Sequence, residues 1–190
     1  MNIALRKPMT MAEFLAWEVR QEIRHEFDGF RPVAMTGGTS EHSGIERNLA
    51  VALGSRLRGR TCQFFGSNLK IEVAGRIRYP DGLVVCTPVA RGTLVVANPV
   101  VVFEILSEST AHVDLVEKNA EYRATPSIQR YVILQQTHAA AIVFARKGED
   151  WVVDVVAGGD GVLSLPEVGI ELPLAELYAD VTLVGVTDGA

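Results

Sequence analysis

The stretch Val100-Val101-Val102-Phe103-Glu104-Ile105-Leu106 sets one acid inside an otherwise continuous apolar run. An apolar run of that length, rich in β-branched residues, predicts a strand in the middle of a sheet, covered on both faces. Leu83-Val84-Val85 has the same character, with Asp81, after Pro80, at its entry. These two segments are predicted to be the central strands. An ionised carboxylate among apolar neighbours is costly unless a metal or a cation compensates it, so Glu104 and Asp81 are the residues that need a reason.

Outward from these strands the pattern mixes helix and strand. Thr10 and Glu13 have capping-box spacing, which predicts a helix running to about Glu22. His25-Glu26-Phe27, the Asp28-Gly29 turn and the run from Phe30 to Met35 read as a hairpin, with Pro32 marking its second strand as an edge. Ile45, Leu49, Leu53 and Leu57 recur every four positions, one stripe of a long amphipathic helix over 40–58 that Gly59 stops. Leu69, Ile71 and Val73 alternate with Lys70 and Glu72, and Gly75-Arg76 turns the chain back through Ile77 to Tyr79. A helix is expected over 113–123, closed by Pro126, then strands over 130–134, 140–145 and 151–156 and a short helix over 173–178. Gly158-Gly159-Asp160-Gly161 lies between strands, with no lysine and no following helix, and reads as a turn. The whole of 1–190 is expected to be a single domain.

Composition narrows the function classes. With 190 residues, 48% hydrophobic and 22% charged, the chain is long and apolar enough to bury a core and unlike a disordered one. No apolar run reaches the ~18 residues of a membrane span, and MNIALRKPMTMAEF lacks a signal-peptide core, so a cytoplasmic location is expected. Cys62 and Cys86 read as buried thiols of a reducing compartment. A net charge of −5 argues against a sequence-blind electrostatic grip on nucleic acid. Arg56, Arg58, Arg60, Arg76 and Arg78 form a local basic set or simply a solvated face.

If the two central strands are neighbours, the carboxylates of Asp81 and Glu104 converge and offer hard oxygens to Mg²⁺ or Mn²⁺. Such an ion polarises a phosphoryl oxygen and acidifies water. Lys118, one turn after Asp114 and one turn before Tyr122, is the candidate cation beside it. Plainer readings stand next to these: Asp81 as a turn former after proline, Glu104 as a paired structural acid, and Lys118 as a solvated helix residue.

Pro80-Asp81, the strand from Val102 to Ser107 leading into Ser109-Thr110, and Asp114, Lys118 and Tyr122-Arg123 at those spacings resemble the Uma family of restriction-endonuclease-like proteins, in the PD-(D/E)XK nuclease superfamily. The resemblance takes in His25-Glu26-Phe27-Asp28-Gly29, Met35-Thr36-Gly37-Gly38-Thr39 followed by His42, and Pro126 with Tyr131-Val132-Ile133-Leu134. It implies an α/β (α+β) fold, a restriction-endonuclease-like mixed β-sheet core flanked by helices, with added β-hairpins. It also implies Asp81 and Glu104 as metal ligands, the backbone carbonyl of Ile105 as a third, and Glu26 joining directly or through water. The superfamily lysine two residues after the acid is Leu106 here, and Lys118 would replace it by reaching back from the next helix. Gln135 stands where family members commonly carry Asp, and His42 is either a phosphate- or water-orienting residue or a polar residue of the helix start.

The resulting expectation is a Mg²⁺- or Mn²⁺-dependent endonuclease with DNA as substrate, no membrane association and a homodimeric assembly. Two alternatives remain: an inactive nuclease-fold module that binds nucleic acid or protein, and a hydrolase of small phosphorylated compounds.

Overall fold

The computed structural model describes residues 8–35, 37–107 and 111–184; Thr36, Ser109, Thr110 and the first seven residues lie outside them. Helix α1 (Met11–Glu18) opens with the expected capping box, in which Glu13 N bonds Thr10 Oγ1 at 3.2 Å and Thr10 N bonds Glu13 Oε2 at 2.7 Å. It ends at Glu18, short of the expected Glu22. Beyond Glu18, Val19 and Ile23 are exposed, so that turn has no buried face to support it, and short helices depend on such packing. Strands β1 (His25–Phe27) and β2 (Pro32–Ala34) form the predicted hairpin, whose turn Asp28 ties by accepting from Phe30 N and Arg31 N at 2.8 Å each. Helix α2 (Ser40–Leu57) buries the stripe Ile45, Leu49, Leu53 and Leu57.

The chain continues through β3 (Gln63–Gly66), β4 (Lys70–Val73), β5 (Arg76–Arg78), β6 (Gly82–Val85), β7 (Val95–Val96) and β8 (Pro99–Leu106). A π-helical turn, Val113–Lys118, runs into α3 (Asn119–Ala124), where the sequence predicts one continuous α-helix. Strands β9 (Arg130–Gln135), β10 (Ala140–Lys147), β11 (Asp150–Ala157), β12 (Val162–Leu165) and β13 (Ile170–Pro173) lead to α4 (Leu174–Leu177).

Two larger sheets result. One runs β2-β1-β5-β4-β7, with β2 at the edge as Pro32 implied, and the other β11-β10-β9-β8-β6-β3. In the second, β8 and β9 are parallel and the remaining pairs antiparallel. A parallel pair needs a crossover connection, and the π-turn with α3 supplies it. The sheet is therefore covered on both sides. Val84, Val101, Phe103 and Ile105 meet α2 in one core, and Leu83, Val85 and Val102 meet Tyr122, Ile128 and Tyr131 in another.

Gly82 is needed for this packing. A Cβ there would come within 2.8 Å of Phe64 Cε2 and 3.1 Å of Leu49 Cδ2, so the missing side chain lets β3 and α2 close over β6.

Two sequence expectations are corrected. Cys62 and Cys86 are joined in a disulfide and are not free thiols. Gln63 pairs with Val85, so each cysteine sits one step past the same ladder end, an adjacency that their separation of 24 residues conceals. The arginines do not form one basic set either. Arg56 pairs with the exposed Glu176, and Arg76 and Arg78 pair with the buried Glu121, so these three charges already have acidic partners.

Candidate functional site

The antiparallel register of β6 and β8 aligns Gly82 with Phe103 and Leu83 with Val102. Carried one residue further, it sets Asp81 across from Glu104, and residues opposed in this way project to one face. That face is the one the crossover covers. Asp81, Glu104, Ile105, Glu26, Lys118 and His42 all line a solvent-open cavity of about 540 Å³.

Lys118 reaches back as expected. Its ammonium lies 3.0 Å from Glu104 Oε1, 3.2 Å from Asp114 Oδ1 and 3.5 Å from Glu26 Oε1. The wide π-turn buries both Asp114 and Lys118, and π-turns recur at functional sites for this kind of reason. Tyr122 OH donates to the same Glu104 oxygen at 2.7 Å, and Tyr131 OH to the carbonyl of Asp114 at 3.0 Å. Asp114 Oδ1 is buried and accepts no directed hydrogen bond, so its contact with Lys118 is a Coulombic one.

Glu26 is not an exposed hairpin acid. It is buried, and protein donors engage both of its oxygens: Tyr79 N at 3.0 Å from Oε1 and Arg78 Nη1 at 3.0 Å from Oε2. Arg78 in turn forms a bidentate pair with Glu121 at 2.7 and 2.6 Å. Asp81 Oδ2 accepts from Ile105 N at 2.7 Å and lies 3.2 Å from His42 Nε2.

The carboxylates of Glu26, Asp81, Glu104, Asp114 and Glu121 outnumber the cations Arg76, Arg78 and Lys118 around them. The titration directions follow. Burial pushes Glu104 well above the usual carboxylate range; Lys118 opposes this, while Asp114, Asp81 and Glu26 add to it. Burial works against a charged Lys118, but the charges of Glu104, Glu26 and Asp114 more than reverse that, so the ammonium stays protonated. His42 is likewise raised: burial disfavours its imidazolium, and the hydrogen bond and charge of Asp81 outweigh the burial.

These residues fit a hard divalent ion. The cluster carries excess negative charge, and among the described residues no hydrogen bond is made to Glu104 Oε2 or Asp81 Oδ1. No group of three or more His, Cys, Asp or Glu gathers as a metal cage among the described residues. Mg²⁺ does not require one, since it commonly takes one or two carboxylates and keeps several waters.

Sequence reasoning singled out Asp81, Glu104, Lys118, Glu26 and Ile105, and the fold brings all of them to this cavity. Asp114, Arg78 and the contact from His42 to Asp81 were missed as parts of the site. The spacing of Asp114 and Lys118 by four residues was a signal for the first; the Arg78 and His42 contacts join distant segments and leave none. Gln135 uses its carbonyl to accept from Tyr178 OH, while Gln136 lines the cavity.

Comparison with known proteins identifies the family and the fold. The Uma2 family, described as "Putative restriction endonuclease", matches residues 11–175. Two curated relatives come from Synechocystis sp. (strain ATCC 27184 / PCC 6803 / Kazusa). "Uncharacterized protein slr1290" is 31% identical over 170 residues, 87% of this chain and 89% of the relative. "Uncharacterized protein sll1609" is 28% identical over 141 residues, 72% of this chain and 80% of the relative. In fold, the chain resembles the crystal structure of a "putative nuclease belonging to DUF820" from Anabaena variabilis ATCC 29413, with a TM-score of 0.75, 16% identity, and coverage of 90% of this chain and 98% of that one.

Proposed function

Because this chain belongs to the Uma2 family, we propose that it is a Mg²⁺- or Mn²⁺-dependent endonuclease that hydrolyses DNA phosphodiester bonds at the cavity containing Asp81, Glu104 and Lys118. The observation that carries this reading is the convergence of two opposed strand acids and a buried ammonium, 3.0 Å from one of them, at one solvent-open cavity. Asp81 and Glu104 would hold the ion, with the Ile105 carbonyl as a third ligand. A divalent ion held there supplies Lewis acidity toward a phosphoryl oxygen.

The remaining work falls to the protein's own groups. Lys118, caged by three acids, cannot act as a general base; it is a fixed positive charge placed where negative charge grows on the phosphoryl group. Tyr122 donates to Glu104 and holds its Oε1 in place. Glu26, tied to Arg78 and Tyr79 N, sets one wall of the cage and positions Lys118.

A homodimer is part of the proposal. Strand β11 is an eight-residue sheet edge with Val152, Val153 and Val155 exposed, and an apolar edge of that length invites pairing with a second copy. Light scattering should give twice the chain mass, falling to one for Val153→Lys with Val155→Lys. A cytoplasmic setting, where DNA is at hand, also belongs to the proposal; no described helix is long and apolar enough to cross a membrane. The disulfide counts against it, since reducing compartments seldom keep one.

The second reading, an inactive nucleic-acid or protein-interaction module, is favoured by one observation: Arg56, Arg76 and Arg78 are all paired with acids and leave little free charge for a phosphate backbone. Plasmid nicking separates the two. The protein with Mn²⁺ should nick supercoiled plasmid, and Asp81→Asn and Glu104→Gln should each abolish it; equal nicking by all three preparations would mean a contaminant, and none by any would favour the module.

A further inference from the structure

Among the described residues, the two polar contacts to Asp81 fall on one oxygen. Ile105 N lies 2.7 Å and His42 Nε2 3.2 Å from Oδ2, and no described residue bonds Oδ1. A carboxylate with a single donor can still turn about its terminal torsion, which is broad and weakly restrained. Two contacts arriving from different elements, a hydrogen bond from a backbone amide of β8 and a charge contact from an imidazole of α2, fix its plane.

The imidazole is itself held. His42 stands in the first turn of α2, where its backbone N donates to Thr39 Oγ1 at 3.2 Å, and the Thr39 hydroxyl donates to Gln136 Oε1 at 2.8 Å. A Cβ on Gly38 would lie 3.0 Å from both Cγ and Nδ1 of the ring, so a larger residue at position 38 would press on the imidazole. The His42 side chain is 17% exposed, which leaves it little freedom to rotate away.

We infer that His42 is a positioning residue: together with the Ile105 amide it pins Asp81 Oδ2 and thereby presents Oδ1 to the cavity as the ligand oxygen for a hard divalent cation. This rests on the metal-site reading above and assigns His42 no contact with the substrate. Partners that orient a ligand in this way typically change metal affinity about 10–100-fold when removed.

The test is Mn²⁺ binding to the full chain by titration calorimetry, without nucleic acid. His42→Ala should bind Mn²⁺ at least about 10-fold more weakly than the natural chain. His42→Gln, whose amide nitrogen can occupy the place of Nε2, should stay within a few-fold of it. Gly38→Ala, which keeps the histidine but crowds its ring, should weaken binding as well; it carries the test if His42→Ala does not fold. In nicking assays His42→Ala should need more Mn²⁺ yet reach the natural rate at saturation, a split that a general loss of structure would not produce. Undiminished binding in His42→Ala, with binding lost in Asp81→Asn, would overturn the role of His42 alone. A natural chain that binds no Mn²⁺, or an Asp81→Asn variant that binds it normally, would overturn the metal-site reading and this role together.

Discussion

Lys118 Nζ sits 3.0 Å from Glu104 Oε1, reaching back from the helical segment that carries the chain from Glu104's own strand to the parallel neighbour of that strand. In the proposed mechanism the ammonium would do the work of a strand lysine from a different element. Its removal has two separable consequences. Lys118→Met should lower the nicking rate by about 10²–10³-fold, the usual loss for one preorganised electrostatic group. It should also cost about 3–5 kcal/mol of stability by leaving buried acids unpaired. Urea unfolding would show the second effect, and added Mn²⁺ should recover part of it. The double variant Lys118→Met with Glu104→Gln should be more stable than Lys118→Met alone.

Stability should fall in acid through Glu18. Burial pushes its carboxyl up, but hydrogen bonds from Lys70 and Tyr79 and the Lys70 charge outweigh that and hold it below its ordinary value of 4.5. Because the folded value is the lower one, the contribution is complete above the unfolded value and is lost as pH falls through the folded one. Unfolding free energies of the natural chain and Glu18→Gln, measured from pH 7 to pH 3, should differ most at neutral pH and converge in acid. A gap that stays constant across that range would remove Glu18 from the account.

Gly82→Ala should destabilise by about 1–3 kcal/mol, because the added methyl meets Phe64 and Leu49 on the covered side of β6. Since Asp81 is the adjacent residue, Mn²⁺ binding should weaken at the same time. Thermal melts check the first effect and calorimetry the second. Adding Phe64→Ala to Gly82→Ala should restore Mn²⁺ affinity if displacement of β6 is the cause.

Reduction should loosen the edge of the larger sheet. The Cys62–Cys86 bond joins residues separated by 24 positions, and opening a loop of that order typically costs about 3 kcal/mol. The melting temperature should drop in dithiothreitol, and Cys62→Ser with Cys86→Ser should match the reduced natural chain and respond to dithiothreitol no further.

Local chemistry was enough to reveal the strands of Leu83-Val84-Val85 and Val100–Leu106, the Thr10 cap, the α2 stripe, and the oddity of Asp81 and Glu104. Each of these follows from a residue's preference for burial, or for its own backbone, over a few neighbours. Other features depended on which segments meet: the facing of Cys62 and Cys86, the tethering of Glu26 by Arg78, the contact of His42 with Asp81, and the π-turn that buries Asp114 beside Lys118. Pairing register and crossover placement are settled by packing between residues far apart in the chain, and a one-residue shift in register turns a side chain to the opposite face. Sequence therefore nominated the acids, and only the assembled sheet decided which oxygen of each is already held by a protein donor.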